Sequence, residues 1–150
     1  MTDSNEQSAS YGEGDASYQA AGGLAGIERL VDKFYDYMDT LPEAKRIRDM
    51  HNDDLTESRQ KLAYFLSGWL GGPKLYRQHF KPIVLPEAHK HLDIAETERD
   101  AWMLCMKHAV NEQPYTEDFK SYLITQLYVP AERTRAVSQK VKAMREAGEI

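Results

Sequence analysis

Cysteine and long apolar runs are what this sequence has least of. Cys105 is the single cysteine among 150 residues, so the chain forms no internal disulfide and we expect a reducing, cytoplasmic environment. No stretch approaches the ~18 consecutive apolar residues that a transmembrane helix requires, and the N-terminus lacks the basic start and apolar centre of a signal peptide. We therefore expect a soluble protein without a membrane partner.

Excess positive charge is also missing. The formal net charge is -5, but residues 1–20 contain four acidic residues and no Lys or Arg, which leaves the rest of the chain close to neutral. Without a basic stripe, nucleic acid is not an expected partner. Residues 1–20 also have few large apolar side chains, and this composition predicts a flexible N-terminal arm.

Apolar residues recur at helical spacing in four segments of the remaining chain. They predict helices at 27–39, 55–70, 97–111 and 117–129, and Pro130 is predicted to end the last of them. Strand signals are lacking, since there is neither a long alternating run nor a hairpin turn, so the predicted fold class is all-α. Residues 131–150 have no convincing apolar stripe and predict a frayed or disordered tail.

Two equal intervals join the residues that are chemically most informative. Tyr76 follows a helix that ends at Gly71-Gly72-Pro73, His89 comes thirteen residues after Tyr76, and Trp102 comes thirteen residues after His89. A terminated helix, an irregular segment with a histidine and a new helix with an acidic first turn can together form a haem site. On chemistry alone His91 competes with His89, and either histidine could instead be solvated or bind a surface metal ion weakly.

These motifs resemble the truncated haemoglobins, and within them the group II branch, from about Ala21 to about Val129. The resemblance implies a truncated globin domain over 21–130 with a two-over-two helical sandwich. In this sandwich, the helices at 27–39 and 55–70 pack against those at 97–111 and 117–129. The resemblance also implies a haem b cofactor (iron protoporphyrin IX) with His89 as the axial metal ligand.

Further haem contacts are implied by the same resemblance. Tyr35 and Trp102 match distal residues that donate hydrogen bonds to a bound diatomic ligand, and Lys61 is placed to reach a haem propionate. The remaining matched positions are on the second helix and just after it, at Ser58, Leu62, Phe65 and Tyr76.

The corner before the second helix departs from the family pattern. Relatives commonly have Tyr, Phe or His there, whereas ungapped matching places Met50 at this position and a shift of one residue places His51 there. We favour His51 because it supplies a third polar group, which would donate to the ligand or bind the iron itself. Ala88 stands where many relatives have a basic residue before the ligand, so one propionate contact is expected to be missing.

The resemblance implies reversible binding of dioxygen and other diatomic ligands, for oxygen binding, transfer or sensing. The alternative is an enzyme that detoxifies nitric oxide or peroxide, as a nitric oxide dioxygenase or with peroxidase-like activity. Turnover would require an external reductase, because nothing in the sequence resembles a flavin or nicotinamide domain. A haemless interaction module is a third class, but it would have no reason to keep Tyr35, His89 and Trp102 in register.

Overall fold

The structure is a computed structural model that describes residues 11–80 and 92–148. In these residues the chain forms seven α-helices and a 3-10 turn over Pro42–Ala44, and no strand is present. The helices are α1 (Ala16–Ala20), α2 (Gly23–Thr40), α3 (Lys45–Asp49), α4 (Thr56–Trp69), α5 (Leu75–His79), α6 (Glu96–Asn111) and α7 (Glu117–Glu146). Because α2 packs against both α4 and α6, and α6 packs against α7, the predicted all-α, two-over-two arrangement is confirmed.

An apolar core fills the space between α2, α4, α6 and α7. The predicted stripe of α2 is buried, from Ile27 and Leu30 to Phe34 and Met38. Each such side chain contributes about 1.5–3 kcal/mol when it is fully buried. None of the helices in the described part of the chain is long and apolar enough to cross a membrane.

Residues 11–20 differ from the flexible arm that composition predicts. Ser17 is only 2% exposed, and the Tyr11 ring lies against Phe119 with centroids 5.3 Å apart. The Tyr18 N–H donates to the Leu70 carbonyl at 3.0 Å, which fastens this segment to the end of α4. Two tyrosines therefore supply the apolar surface that the polar neighbours lack.

The glycine pair at the end of α4 makes room for this segment. Gly71 has φ +93°, and a Cβ at this position would lie 2.0 Å from the Gly14 carbonyl oxygen. A Cβ at Gly72 would lie 2.2 Å from the Tyr18 ring. Glycine is thus required twice here, first for the left-handed turn that ends the helix and then for the close approach of residues 14–18.

Helix α7 continues through Pro130, so the predicted end at residue 129 and the predicted frayed tail after it are wrong. A proline inside a helix removes one backbone hydrogen bond, and here the helix resumes directly, with the Thr134 hydroxyl donating to the Pro130 carbonyl at 2.8 Å. Ser138 is 1% exposed, so the later turns are packed. An apolar stripe is absent there because these turns are attached by polar side chains such as Ser138 and Gln139.

Candidate functional site

A cavity of about 370 Å³ lies among α2, α3, α4, α6 and α7. Its volume is typical of small-molecule and cofactor pockets, and its walls are mainly apolar. His89 lies outside the described residues, as do His91 and Ala88. The other eight residues predicted for the site all line the cavity: Tyr35, His51, Ser58, Lys61, Leu62, Phe65, Tyr76 and Trp102.

The Tyr35 hydroxyl is a buried donor in this cavity. The residue is 5% exposed, and burial raises the pKa of Tyr35 to about 12, although the nearby Arg59 guanidinium acts in the opposite direction. The phenol therefore keeps its proton at neutral pH. Its hydroxyl donates to the Ser58 carbonyl at 3.4 Å, a long hydrogen bond that a better acceptor would readily replace.

Trp102 reaches the same cavity from α6. The Phe34 ring lies 5.0 Å from the Tyr35 ring and 5.0 Å from the Trp102 ring, between centroids. Phe34 itself is completely buried, so its packing couples the positions of both neighbouring aromatic side chains. We name Phe34, Tyr35 and Trp102 the aromatic wall, of which Tyr35 and Trp102 line the cavity.

The corner before α4 places both candidate residues, Met50 and His51, in the cavity lining. The His51 ring meets the edge of Tyr35 with centroids 5.7 Å apart. Its Nδ1 lies 2.8 Å from the Ile47 carbonyl oxygen, which only accepts, so this contact assigns the proton of the neutral imidazole to Nδ1. Nε2 is then the acceptor nitrogen, and it becomes a donor only when the ring is protonated.

Helix α4 supplies a mixed wall with a cation at its rim. Lys61 Nζ lies 3.0 Å from Glu57 Oε1 and 5.4 Å from the centroid of the Phe80 ring, and the hydrogen bond with Glu57 raises the pKa of Lys61. The lysine is charged but already paired. The neighbouring lining residues follow helical spacing, at Ser58, Leu62 and Phe65.

A second cation lines the cavity, Arg99, which was not predicted from the sequence. Its guanidinium lies 2.8 Å from Glu132 and 2.9 Å from Asp100, and Arg135 pairs with the same Glu132 at 2.7 Å. Hydrogen bonds from Arg135 and Arg99 lower the pKa of Glu132 to about 2. Other lining residues that sequence reasoning did not select are Ile47, Leu92, Ile94, Glu98, Pro130, Ala131 and Thr134.

These residues were missed for different reasons. Pro130 was interpreted as the end of a helix, which removed the following turns of α7 from consideration. Leu92 and Ile94 lie in an irregular segment, where spacing does not show which side chains face the cavity. Glu98 lies in the acidic first turn of α6, where its carboxylate accepts from the Ala95 N–H at 2.8 Å, and the sequence does not show that it also lines the cavity.

The lining is chemically suited to haem. The apolar surfaces match a porphyrin ring, and Lys61 and Arg99 are cations that match carboxylate substituents. Tyr35 and Trp102 add hydrogen-bond donors for a small ligand. Apolar, cationic and donor groups thus line one cavity in the combination that a haem with a diatomic ligand would need.

Comparisons with known proteins agree with this assignment. The family model for the bacterial-like globins matches residues 16–133. The group 2 truncated haemoglobin YjbI of Bacillus subtilis (strain 168) is 32% identical over 117 residues, which are 78% of this chain and 86% of that protein.

Solved structures are similar over the same share of the chain. The group II 2-on-2 haemoglobin from Agrobacterium tumefaciens is 35% identical with a TM-score of 0.73, over 79% of this chain and 92% of that one. The truncated oxygen-avid haemoglobin from Bacillus subtilis is 31% identical with a TM-score of 0.71, over 79% of this chain and 97% of that one.

Proposed function

This chain belongs to the bacterial-like globin family, as a group II truncated haemoglobin, and we propose that it binds dioxygen and other diatomic ligands reversibly at haem b. The observation that carries the proposal is the aromatic wall, which brings the Tyr35 hydroxyl and the Trp102 indole to one cavity. The truncated haemoglobin of Bacillus subtilis that is similar to this chain is described as oxygen-avid, which supports the same ligand.

Haem, when bound, supplies an iron that coordinates a diatomic molecule. We assign His89 as the residue that holds the iron, on the two thirteen-residue intervals of the sequence. With haem bound, the Tyr35 hydroxyl would be placed to donate to the ligand instead of making its long bond to the Ser58 carbonyl, because a ligand that carries negative charge accepts more strongly than a neutral carbonyl. The Trp102 indole N–H would be a second donor, and Leu62 and Phe65 would supply apolar surface.

We infer a cytoplasmic location and a role in oxygen binding, transfer or sensing rather than in turnover. A chain with a single cysteine forms no internal disulfide, as is usual for cytoplasmic proteins, and Cys105 is fully buried with a thiol pKa that burial raises to about 11. An unreactive thiol of this kind needs no disulfide partner.

Spectra and ligand kinetics of the purified full chain test this function. We expect haem absorption in the ferric, ferrous and oxygenated states, and slow release of dioxygen in stopped-flow mixing. A chain that takes up no haem would refute the proposal. If nitric oxide rapidly oxidises the oxygenated protein and an added reductase sustains turnover, the nitric oxide dioxygenase alternative gains support instead.

A further inference from the structure

Ser138 is a buried hydroxyl on the last turns of α7, far along the chain from the residues it contacts. It is 1% exposed, and its oxygen accepts from the Ile94 N–H at 2.8 Å while its hydroxyl donates to the Leu92 carbonyl. One side chain therefore satisfies the backbone on both sides of Asp93. Such backbone groups have no helix or sheet partner of their own in this segment.

Two neighbouring residues of α7 hold the same segment. Gln139 Nε2 donates to Asp93 Oδ1 at 3.0 Å and to the Ile94 carbonyl at 2.9 Å, and Lys142 Nζ lies 3.2 Å from Asp93 Oδ2. Hydrogen bonds from Gln139 first and Lys142 second lower the pKa of Asp93. We name Ser138, Gln139 and Lys142 the C-terminal clamp.

Arg46 extends the network to two further helices. Its guanidinium lies 3.6 Å from Asp93 and 3.1 Å from the carboxylate of Glu98, which is 6% exposed and caps the start of α6. The segment from Leu92 to Ala95 is thus attached to α3, α6 and α7 at once, and the clamp supplies most of the attachments.

The clamped segment is part of the haem cavity. Leu92 and Ile94 line it, and so do Pro130, Ala131 and Thr134 on the preceding turns of the same helix. The match to the family model ends at residue 133, so all three clamp residues lie beyond it. One helix that continues past the family match therefore both lines the cavity and fixes another part of its lining.

We propose that the C-terminal clamp positions the Leu92–Ile94 wall of the haem cavity and thereby sets how tightly haem is held. This inference rests on the proposed function. Ser138 carries the largest share, because it is 1% exposed and its loss leaves the Ile94 N–H and the Leu92 carbonyl without their partner in a part-buried site, which costs more than losing a solvated contact. Gln139 and Lys142 are positioning residues that hold the carboxylate between them.

A matched pair of variants separates the effect of losing the Ser138 hydroxyl from the effect of changing the side-chain volume. Ser138→Thr keeps the hydroxyl and Ser138→Val replaces it with a methyl group of similar size. Two rates are measured in the haem-loaded full chain: hydrogen exchange at the Ile94 amide and haem transfer to apomyoglobin. We expect each rate to be at least about five-fold higher in Ser138→Val than in Ser138→Thr, because a lost hydrogen bond costs ~1 kcal/mol. Lys140→Ala, an exposed position on the same helix, should match the wild type.

Each other outcome refutes a defined part of the inference. Equal haem transfer in Ser138→Val and Ser138→Thr, or faster exchange at Ile94 without faster haem transfer, would show that the clamp orders the segment without positioning the haem wall. If Ser138→Val does not fold, Gln139→Leu removes two bonds at a less buried site and should change both rates in the same direction. Unchanged rates in Gln139→Leu would overturn the proposal. A wild-type chain that takes up no haem would refute the proposed function and this inference together.

Discussion

Tyr35 and Trp102 of the aromatic wall line the same cavity as the clamped Leu92–Ile94 wall, but the two walls are held by different forces. Phe34, Tyr35 and Trp102 are fixed by packing in the apolar core between α2 and α6. Leu92 and Ile94 are held by hydrogen bonds and ion pairs from the end of α7. The first wall can therefore be inferred from apolar spacing, whereas the second depends on polar contacts between residues more than forty positions apart.

The contributions within the clamp are unequal. The Lys142 and Asp93 side chains are 47% and 42% exposed, and an ion pair that is this solvated is worth about 0–1 kcal/mol. Ser138 is 1% exposed and makes two hydrogen bonds to the backbone of the segment, each worth about 0.5–1.5 kcal/mol. The clamped wall should consequently respond little to salt and strongly to the loss of one hydroxyl.

The largest effect is expected at His89, which belongs to neither wall. We predict that His89→Ala strongly reduces haem retention and that His91→Ala leaves it near the wild-type level, because only His89 matches both thirteen-residue intervals. Haem content after gel filtration and the rate of haem transfer to apomyoglobin measure the difference. Equal loss in both variants, or loss in His91→Ala alone, would overturn the register on which the site rests.

The second prediction concerns how the burial of Tyr35 affects the free energy of unfolding at alkaline pH. The pKa of Tyr35 is raised from 10.0 to about 12, so folding favours its neutral form. The stabilisation is fully present below pH 10 and is lost as the pH rises from 10 to about 12, with a total of about 2–3 kcal/mol. Tyr35→Phe should remove this part of the alkaline loss of unfolding free energy, measured by urea denaturation across that range.

Tyr115 provides an independent comparison for this measurement. Burial raises the pKa of Tyr115 to about 12 as well, and its hydroxyl donates to the Ala21 carbonyl at 3.3 Å, away from the cavity lining. Tyr115→Phe should remove a similar part, and the double variant should remove both. Identical pH profiles for the wild type and Tyr35→Phe would show that the Tyr35 hydroxyl is hydrated and that the wall is open to water.

The helices with buried apolar stripes could be predicted from the sequence, whereas the segments held by polar contacts could not. The four long helices were predicted because their buried residues recur every three or four positions, as in the stripe that contains Phe34. The turns after Pro130 and the segment around Tyr18 were assigned to tails because their anchors are single hydroxyls, amides and rings in polar surroundings. Spacing along the chain does not reveal that Ser138 meets Ile94, since such a pairing is created by the fold.

The third prediction tests the two donors of the aromatic wall. Losing the indole N–H in Trp102→Phe should speed dioxygen release about five-fold, because a neutral hydrogen bond has a net worth of ~1 kcal/mol. Tyr35→Phe should act in the same direction, and stopped-flow release rates measure both. Tyr37→Phe is the matched control, since this tyrosine is on the same helix but donates to Glu112 outside the cavity lining. Unchanged release in both single variants and in the double variant would show that neither group contacts the ligand.

The smallest effect is expected at the corner between the two kinds of wall, where His51 and Met50 both line the cavity. Because Nδ1 of His51 donates to the Ile47 carbonyl, the neutral ring offers Nε2 only as an acceptor or a metal ligand, and protonation converts Nε2 into a donor. Acid that protonates the ring should therefore shift the absorption spectrum of the ferric protein. His51→Ala should abolish the shift and Met50→Leu should keep it. A shift that persists in His51→Ala would mean that the ring does not reach the ligand side, and the aromatic wall would then supply the polar contacts to the ligand from Tyr35 and Trp102 alone.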